Sequence, residues 1–227
     1  MARPLKVLVS VFSCHSMRHF SDAQRATWLG FCGRYRLDHR VFFGQGGEAK
    51  YADEVILNCP DDYKSMCLKS HAIFEWALNH NYDFVLNCSN DAYVRVDNFV
   101  ASDFHQHDYV GFALQSNLRE PLVYAHGGCG YVVSKRAMEF LVAATPPEND
   151  SAEDYWVAET LLRHGISLYG DWRYADYRIA RTYVFDGVSR PSLPPEMMSQ
   201  MIASAEHPVQ QQYQMHEQWL KDRARKA

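Results

Sequence analysis

The chain has 227 residues and a mass of 26.2 kDa, with 47% hydrophobic and 22% charged residues. A folded chain of that size buries roughly 70–75% of the surface its unfolded form exposes. The 23 Lys and Arg against 27 Asp and Glu leave a net charge of −4 and a pI near 6.2, which excludes a disordered polyelectrolyte and counts against a wholly basic nucleic-acid-binding surface. No apolar run reaches the ~18–20 residues of a membrane helix. The stretch Leu5 to Phe12 is short and has no small-residue cleavage site after it. Cys14, Cys32, Cys59, Cys67, Cys88 and Cys129 are scattered, with no C-x-x-C pair. They read as small buried hydrophobes rather than a disulfide framework, so the expected compartment is the reducing cytoplasm.

In chain order, Lys6 to Phe12 is a Val-rich apolar run, as expected of a strand covered on both faces. A helix is predicted over Asp22 to Phe31, starting at Ser21-Asp22. Arg40 to Phe43 reads as a strand stopped by Gly44-Gln-Gly-Gly47, and Glu54 to Leu57 as another. From Lys64 to His80, Leu68, Ala72, Ile73, Trp76 and Ala77 form the stripe of an amphipathic helix. Tyr82 to Leu86 is a buried-strand pattern ending in the polar cluster Asn87 to Asp91. Tyr109 to Phe112 and Gly130 to Val133 are two further short strands. Ser134 is a good cap for a helix over Lys135 to Ala144, and Glu153 to His164 is a helix closed by Gly165. Met197 to Ala205 and Gln210 to Arg225 read as helices separated by His207-Pro208. The alternation predicts an α/β fold with a mostly parallel sheet flanked by helices and a C-terminal helical appendage. The domain spans residues 1–190, and the extension 191–227 is expected to pack on it. Ligands of such sheets sit beyond the carboxyl ends of strands, which directs attention to the clusters after Phe12 and Leu86.

Several residues there could carry chemistry. Asp91, with the neutral oxygens of Ser89 and Asn90, could hold a hard divalent cation, or the three could simply form the turn that ends the strand. Glu153-Asp154 at a helix start is explained by the helix dipole, or supplies a general base for an acceptor hydroxyl. Gly127-Gly-Cys-Gly130, preceded by His126, lets backbone approach a ligand or makes a tight turn, but lacks the spacing of a dinucleotide fingerprint. Arg25, Trp28 and Lys69 suit contacts to phosphate and base, or are ordinary surface cations and a core indole. No H-E-x-x-H or G-x-S-x-G occurs among the residues. Tyr213, Met215, Trp219 and Leu220 form an apolar set followed by the basic end Lys221 to Lys226, the pattern of a docking helix with a solvated tip.

Read in order, these elements carry a resemblance. Arg25-Ala-Thr-Trp28 resembles the R-x-T-W element of the β1,3-glycosyltransferase family, the galactosyl-, N-acetylglucosaminyl- and Fringe-type enzymes. Asp62 to Lys69 is similar to that family's D-x-Y-x-N-L-T-x-K, and Tyr82 to Val94 to its strand followed by K-T-D-D-D-V-F-V. Gly127 to Ser134 matches G-G-x-G-Y-V-L-S, and Glu153 to Val157 matches E-D-V-Y-V. The resemblance implies a GT-A fold and inverting transfer of a sugar from a nucleoside diphosphate, usually UDP, to a hydroxyl of a glycan acceptor. It implies that Arg25, Asp62 and Lys69 hold the nucleotide and that Asp91 stands at a Mn²⁺ or Mg²⁺ diphosphate site beside Ser89 and Asn90. It also implies that Gly127 and Gly128 border donor and acceptor, and that Asp154 is the base with Glu153 beside it. The family's acidic triplet is Ser89-Asn90-Asp91 here, and Tyr183-Val-Phe-Asp186 stands where its late metal-binding His is expected, so metal use is an open question. The family's membrane anchor and stem have no counterpart, and the expectation is a compact cytoplasmic bacterial or viral relative. Two alternatives stand beside the glycan reading: transfer to a modified base in DNA, which the low charge counts against, and a non-catalytic sugar-nucleotide-binding module.

Overall fold

A computed structural model describes residues 3–116, 121–174, 180–182 and 207–225. Its elements in chain order are β1 (Val7–Phe12), α1 (Arg18–Ala26), β2 (Leu37–Phe43), β3 (Glu54–Ile56), α2 (Met66–Asn79), β4 (Phe84–Ser89), β5 (Ala92–Val94), α3 (Val96–Val100), β6 (Tyr109–Gly111), β7 (Ala113–Ser116), β8 (Leu122–Ala125), β9 (Tyr131–Ser134), α4 (Lys135–Ala143), α5 (Glu153–Arg163), β10 (Tyr169–Gly170), β11 (Ala180–Thr182) and α6 (His207–Ala224). The main sheet runs β10-β6-β9-β4-β1-β2-β3. β9 is antiparallel to β4 and β6, while the pairings β1–β2, β1–β4, β2–β3 and β6–β10 are parallel. This is the mixed, mostly parallel sheet flanked by helices, with a C-terminal helix, that the alternation predicts.

The position of β1 explains its composition. It has a parallel neighbour on each side and a hydrophobic core on each face, so no residue of the run needs to meet water. Val7, Val9 and Val11 face a core with Trp28, Leu29, Cys32, Phe99 and Tyr174. Leu8 faces the opposite core, filled by Ile73 and Phe74 of α2, Met138 and Leu141 of α4, and Val157 and Leu161 of α5. α6 joins the first core through Met215, and its fully buried Trp219 packs edge-on to Phe31 at 4.7 Å. Five of the six cysteines are buried, and all six are free thiols.

Local signals set several boundaries as read. Ser134 caps α4 by accepting from the Ala137 N–H at 3.2 Å, and Gly165 closes α5 with φ of +73°, which costs glycine little. Other boundaries shift. The first helix begins at Arg18 rather than Asp22, because Arg18 is pinned by an ion pair to the buried Glu54. It ends at Ala26, and a 3-10 segment, Leu29–Tyr35, follows. β4 continues through the polar Asn87-Cys88-Ser89 instead of ending at Leu86, since those residues pair with Ser10, Val11 and Phe12 of β1. Asn87 is satisfied inside the sheet, accepting from the Ser10 hydroxyl at 3.1 Å and donating to the Tyr131 hydroxyl at 3.1 Å. The hairpin of β7 and β8 is absent from the sequence reading. His207-Pro208 lies inside α6, at its opening, rather than before it, at a place where proline's missing N–H breaks no helical bond. The helix read at Met197 to Ala205, the stretch Tyr183 to Asp186 and the 190/191 boundary lie outside the described residues. Among the described residues, no helix is long and apolar enough to cross a membrane.

Candidate active site

A cleft of about 290 Å³ opens where β1 and β4 end. Phe12 and Asn87 to Ser89 line it at the strand ends, together with Tyr124, His126 to Gly128, Ser151 to Asp154, Tyr63 and Met66. Three separate stretches named by the resemblance therefore meet: Ser89, Gly127-Gly128 and Glu153-Asp154.

The two carboxylates differ in setting. Glu153 is 4% exposed; its Oε2 accepts from the Tyr131 hydroxyl at 2.8 Å and the Ser70 hydroxyl at 3.1 Å. Burial and the neighbouring charge of Asp154 push its carboxyl up to about 8, against the pull of those two bonds. Asp154 lines the cleft, with Oδ2 accepting from the Gly127 N–H at 3.1 Å and Oδ1 from the Tyr155 N–H at 2.9 Å. Burial raises it too, while those N–H groups and His126 oppose the rise. Both carboxyls are thus drawn toward the protonated form, and of the two it is Asp154 whose N–H partner belongs to the glycine turn of the cleft.

The glycine turn is shaped by these acids. Gly127–Cys129 is one 3-10 turn, capped by His126 Nδ1, which accepts from the Cys129 N–H at 3.1 Å. A Cβ on Gly127 would stand 2.7 Å from Glu153 Oε1 and 3.3 Å from Asp154 Oδ2. Gly130 has φ of +86°, and a Cβ there would stand 3.0 Å from the Cys88 Cβ. Glycine is thus required on the side of the acids and on the side of β4.

The expected nucleotide and metal residues lie elsewhere. Arg25 is not brought to the cleft: its guanidinium reaches Asp22 at 2.8 Å, Asp53 at 2.9 Å and Glu54 at 2.9 Å, and lies over the Tyr51 ring at 4.3 Å. Lys69 is 2% exposed and donates to the Ser13 carbonyl at 2.8 Å and Asp61 Oδ1 at 2.7 Å. Asp62 is exposed and caps the 3-10 turn Tyr63–Ser65 by accepting from the Ser65 N–H at 2.9 Å. Trp28 is a core indole whose Nε1 donates to the Ala92 carbonyl at 3.2 Å. Asn90 ties the end of β4 to the opening of α1, donating to Ser13 Oγ at 3.1 Å and the Met17 carbonyl at 3.2 Å.

Asp91 is 1% exposed and is not among the residues lining the cleft. Among the described residues, no group of three His, Cys, Asp or Glu side chains could hold a metal ion. The donor set around Asp91, with serine and asparagine in place of carboxylates, does not fit a divalent cation there, and no chemical step is derived through one. The sequence reading also missed Asp61, Ser70 and Tyr131. Asp61 adjoins Asp62 in the chain, yet it is Asp61 that gathers Lys69 and the N–H groups of His15 and Gly44, both at 2.6 Å. Tyr131 stands within the quoted glycine motif, and only the packing of α5 on the sheet brings Glu153 to its hydroxyl.

No family model matches the chain. Among solved structures it is similar to the catalytic domain of Drosophila β1,4-galactosyltransferase 7, crystallised with xylobiose, at 13% identity over 73% of this chain and 64% of that one, with a TM-score of 0.48. It is similar to a glycosyltransferase involved in glycosylation of the major capsid of PBCV-1, at 10% identity over 90% and 98% of the two chains, TM-score 0.49. A third is the galactosyltransferase LgtC in complex with donor and acceptor sugar analogues, at 10% identity over 87% and 95%, TM-score 0.47. The chain thus spans a little under two thirds of the first of these domains, 64%.

Proposed function

We propose that the chain is an inverting glycosyltransferase of the β1,3 type, moving a sugar from a nucleoside diphosphate, UDP by the motif resemblance, to an acceptor hydroxyl. The observation that carries this reading is the meeting of Ser89, Gly127-Gly128 and Glu153-Asp154 in one cleft beyond the carboxyl ends of β1 and β4. Asp154 takes the acceptor proton as the acceptor oxygen bonds to the anomeric carbon. The bond from that carbon to the diphosphate breaks on the opposite face, which inverts the centre and sends the electron pair to the leaving group. The Gly127 N–H aims one carboxylate oxygen, and the burial of Glu153 beside Asp154 disfavours a second negative charge in a site that must admit a diphosphate. The cytoplasm belongs to the same proposal, because six free thiols suit a reducing compartment.

The test is incubation with UDP-glucose, UDP-galactose and UDP-N-acetylglucosamine, with and without Mn²⁺, followed by assay of sugar release or transfer. Turnover of one donor is expected, and Asp154→Asn should lower it about 10²–10⁴-fold while UDP binding stays nearly intact. Absence of both UDP binding and turnover sinks the proposal. A second reading, a non-catalytic sugar-nucleotide-binding module, draws on Ser89 and Asn90 standing where the resembled family carries carboxylates, and on Asp91 lying outside the lining of the cleft. UDP binding with no turnover of any donor would favour it.

A further inference from the structure

A departing diphosphate is strongly anionic, and the cleft that must hold it is short of cations. Among the described residues lining it, Glu153 and Asp154 are acids and none is Lys or Arg. The amide of Asn87 is spent inside the sheet on Ser10 and Tyr131. His126 is the one lining side chain left with a nitrogen donor. It follows β8 and caps the glycine turn: its backbone N–H donates to the Phe112 carbonyl at 2.8 Å, and its Nδ1 accepts from the Cys129 N–H at 3.1 Å. A backbone N–H can only donate, so Nδ1 carries a lone pair and the ring proton is on Nε2. Among the described residues, Nε2 has no hydrogen-bond partner.

We propose that His126 is a catalytic residue of the transfer, its Nε2–H donating a hydrogen bond to the diphosphate oxygen that leaves. The proposal rests on the transferase reading and adds to it the group that meets the leaving charge. The donor set around Asp91 does not fit a divalent cation for that task, and Arg25 and Lys69 are bound to acids elsewhere. As the bond from the anomeric carbon to that oxygen breaks, the electron pair stays on the oxygen and the Nε2–H contact strengthens. The proton remains on Nε2, while the acceptor's proton goes to Asp154. Because the ring is held through its own backbone N–H and through Nδ1, the donor is set before charge develops and needs no reorganisation when it does.

The experiment is titration calorimetry of the full chain with UDP and with uridine in EDTA, then transfer assays with the UDP-sugars named above. It compares the wild type with His126→Asn and His126→Gln. Asparagine keeps an acceptor near the Nδ1 position and falls short of Nε2, whereas glutamine reaches the Nε2 position and gives up the cap. His126→Asn should melt as the wild type does and bind uridine unchanged. It should bind UDP about tenfold more weakly and turn over roughly 10²–10³-fold more slowly. His126→Gln should melt lower, yet recover most of the UDP affinity and turnover. A histidine that only caps the turn predicts the reverse order of the two variants, and that order overturns the proposal. An active wild type whose UDP binding and transfer His126→Asn leaves untouched overturns the His126 assignment alone, as does wild-type transfer that EDTA abolishes and Mn²⁺ restores. A wild type that neither binds UDP nor turns over any donor overturns this proposal and the transferase reading together. If the wild type binds UDP without turnover, the catalytic role falls with the transferase reading, and a tenfold loss in His126→Asn retains the diphosphate contact alone.

Discussion

Two buried glutamates in this molecule face opposite electrostatic situations. Glu54, at the sheet edge, lies between Arg18 and Arg25, with the Lys50 N–H also donating to it. Burial alone would raise its carboxyl, but these bonds and the two guanidinium charges hold it below its ordinary value. Glu153 has a comparably dry setting and no cation among its bonded partners; its neighbours are two hydroxyls and another carboxylate. The same side chain is therefore a fixed anion in one place and a proton carrier in the other. Burial makes charge expensive, and the company a group keeps decides whether the charge survives. Arg25, which the motif resemblance assigns to a nucleotide, stabilises the first region, and the cleft keeps acids without a cation bonded to them.

The largest effect should come from breaking the satisfied region. Glu54→Ala takes from Arg18 its paired carboxylate and from Arg25 one of three, and should cost about 3–5 kcal/mol, read by urea denaturation; a loss below about 1 kcal/mol would show that water compensates them. Next is the cleft: Gly127→Ala drives a methyl against Glu153 Oε1 and Asp154. On the proposed transferase reading, sugar transfer should fall about 100-fold with little change in melting temperature, since a displacement of the proposed base on the order of 1 Å has that cost. Transfer at the wild-type rate would remove the glycine turn from the site.

The subtlest prediction opposes the two regions by pH. Glu153 binds its proton more tightly folded than unfolded, so its contribution to stability is full below pH 4.5 and declines as pH rises from 4.5 to about 8. Asp53, drawn down to about 2 by His39 and Arg25 despite its burial, behaves in reverse. Its contribution is present above pH 3.8 and lost as pH falls toward 2. Stability measured against pH should therefore lose part of its decline between pH 4.5 and about 8 in Glu153→Gln and part of its acid decline in Asp53→Asn. If Glu153→Gln leaves the alkaline slope unchanged, the buried acid is not the proton carrier described.

How much of this was legible depended on range. The Val-rich run at β1, the cap at Ser134 and the stop at Gly165 were readable because their causes lie within a few residues: a side-chain period, one hydroxyl near one N–H, one backbone angle that favours glycine. Ser89, Gly127 and Asp154 were readable as candidates from motif order, but nothing local says that they line one cleft. Arg25 and Lys69 show the limit. Their types suit phosphate, yet Asp53, Glu54 and Asp61 reach them first, because the β2–β3 pairing and the loop after β3 bring those acids alongside.

The sequence by itself determined the class of fold, those element boundaries whose causes are local, and a short roster of residues able to do chemistry. Only the tertiary structure decided which of them keep charge, because that depends on burial and on partners tens of residues away. Tyr131 and Ser70 close on Glu153 across three elements, and two arginines close on Glu54 across the sheet edge. Local pattern cannot specify those distances, and the energies that separate an ion pair from a proton carrier vary steeply with them.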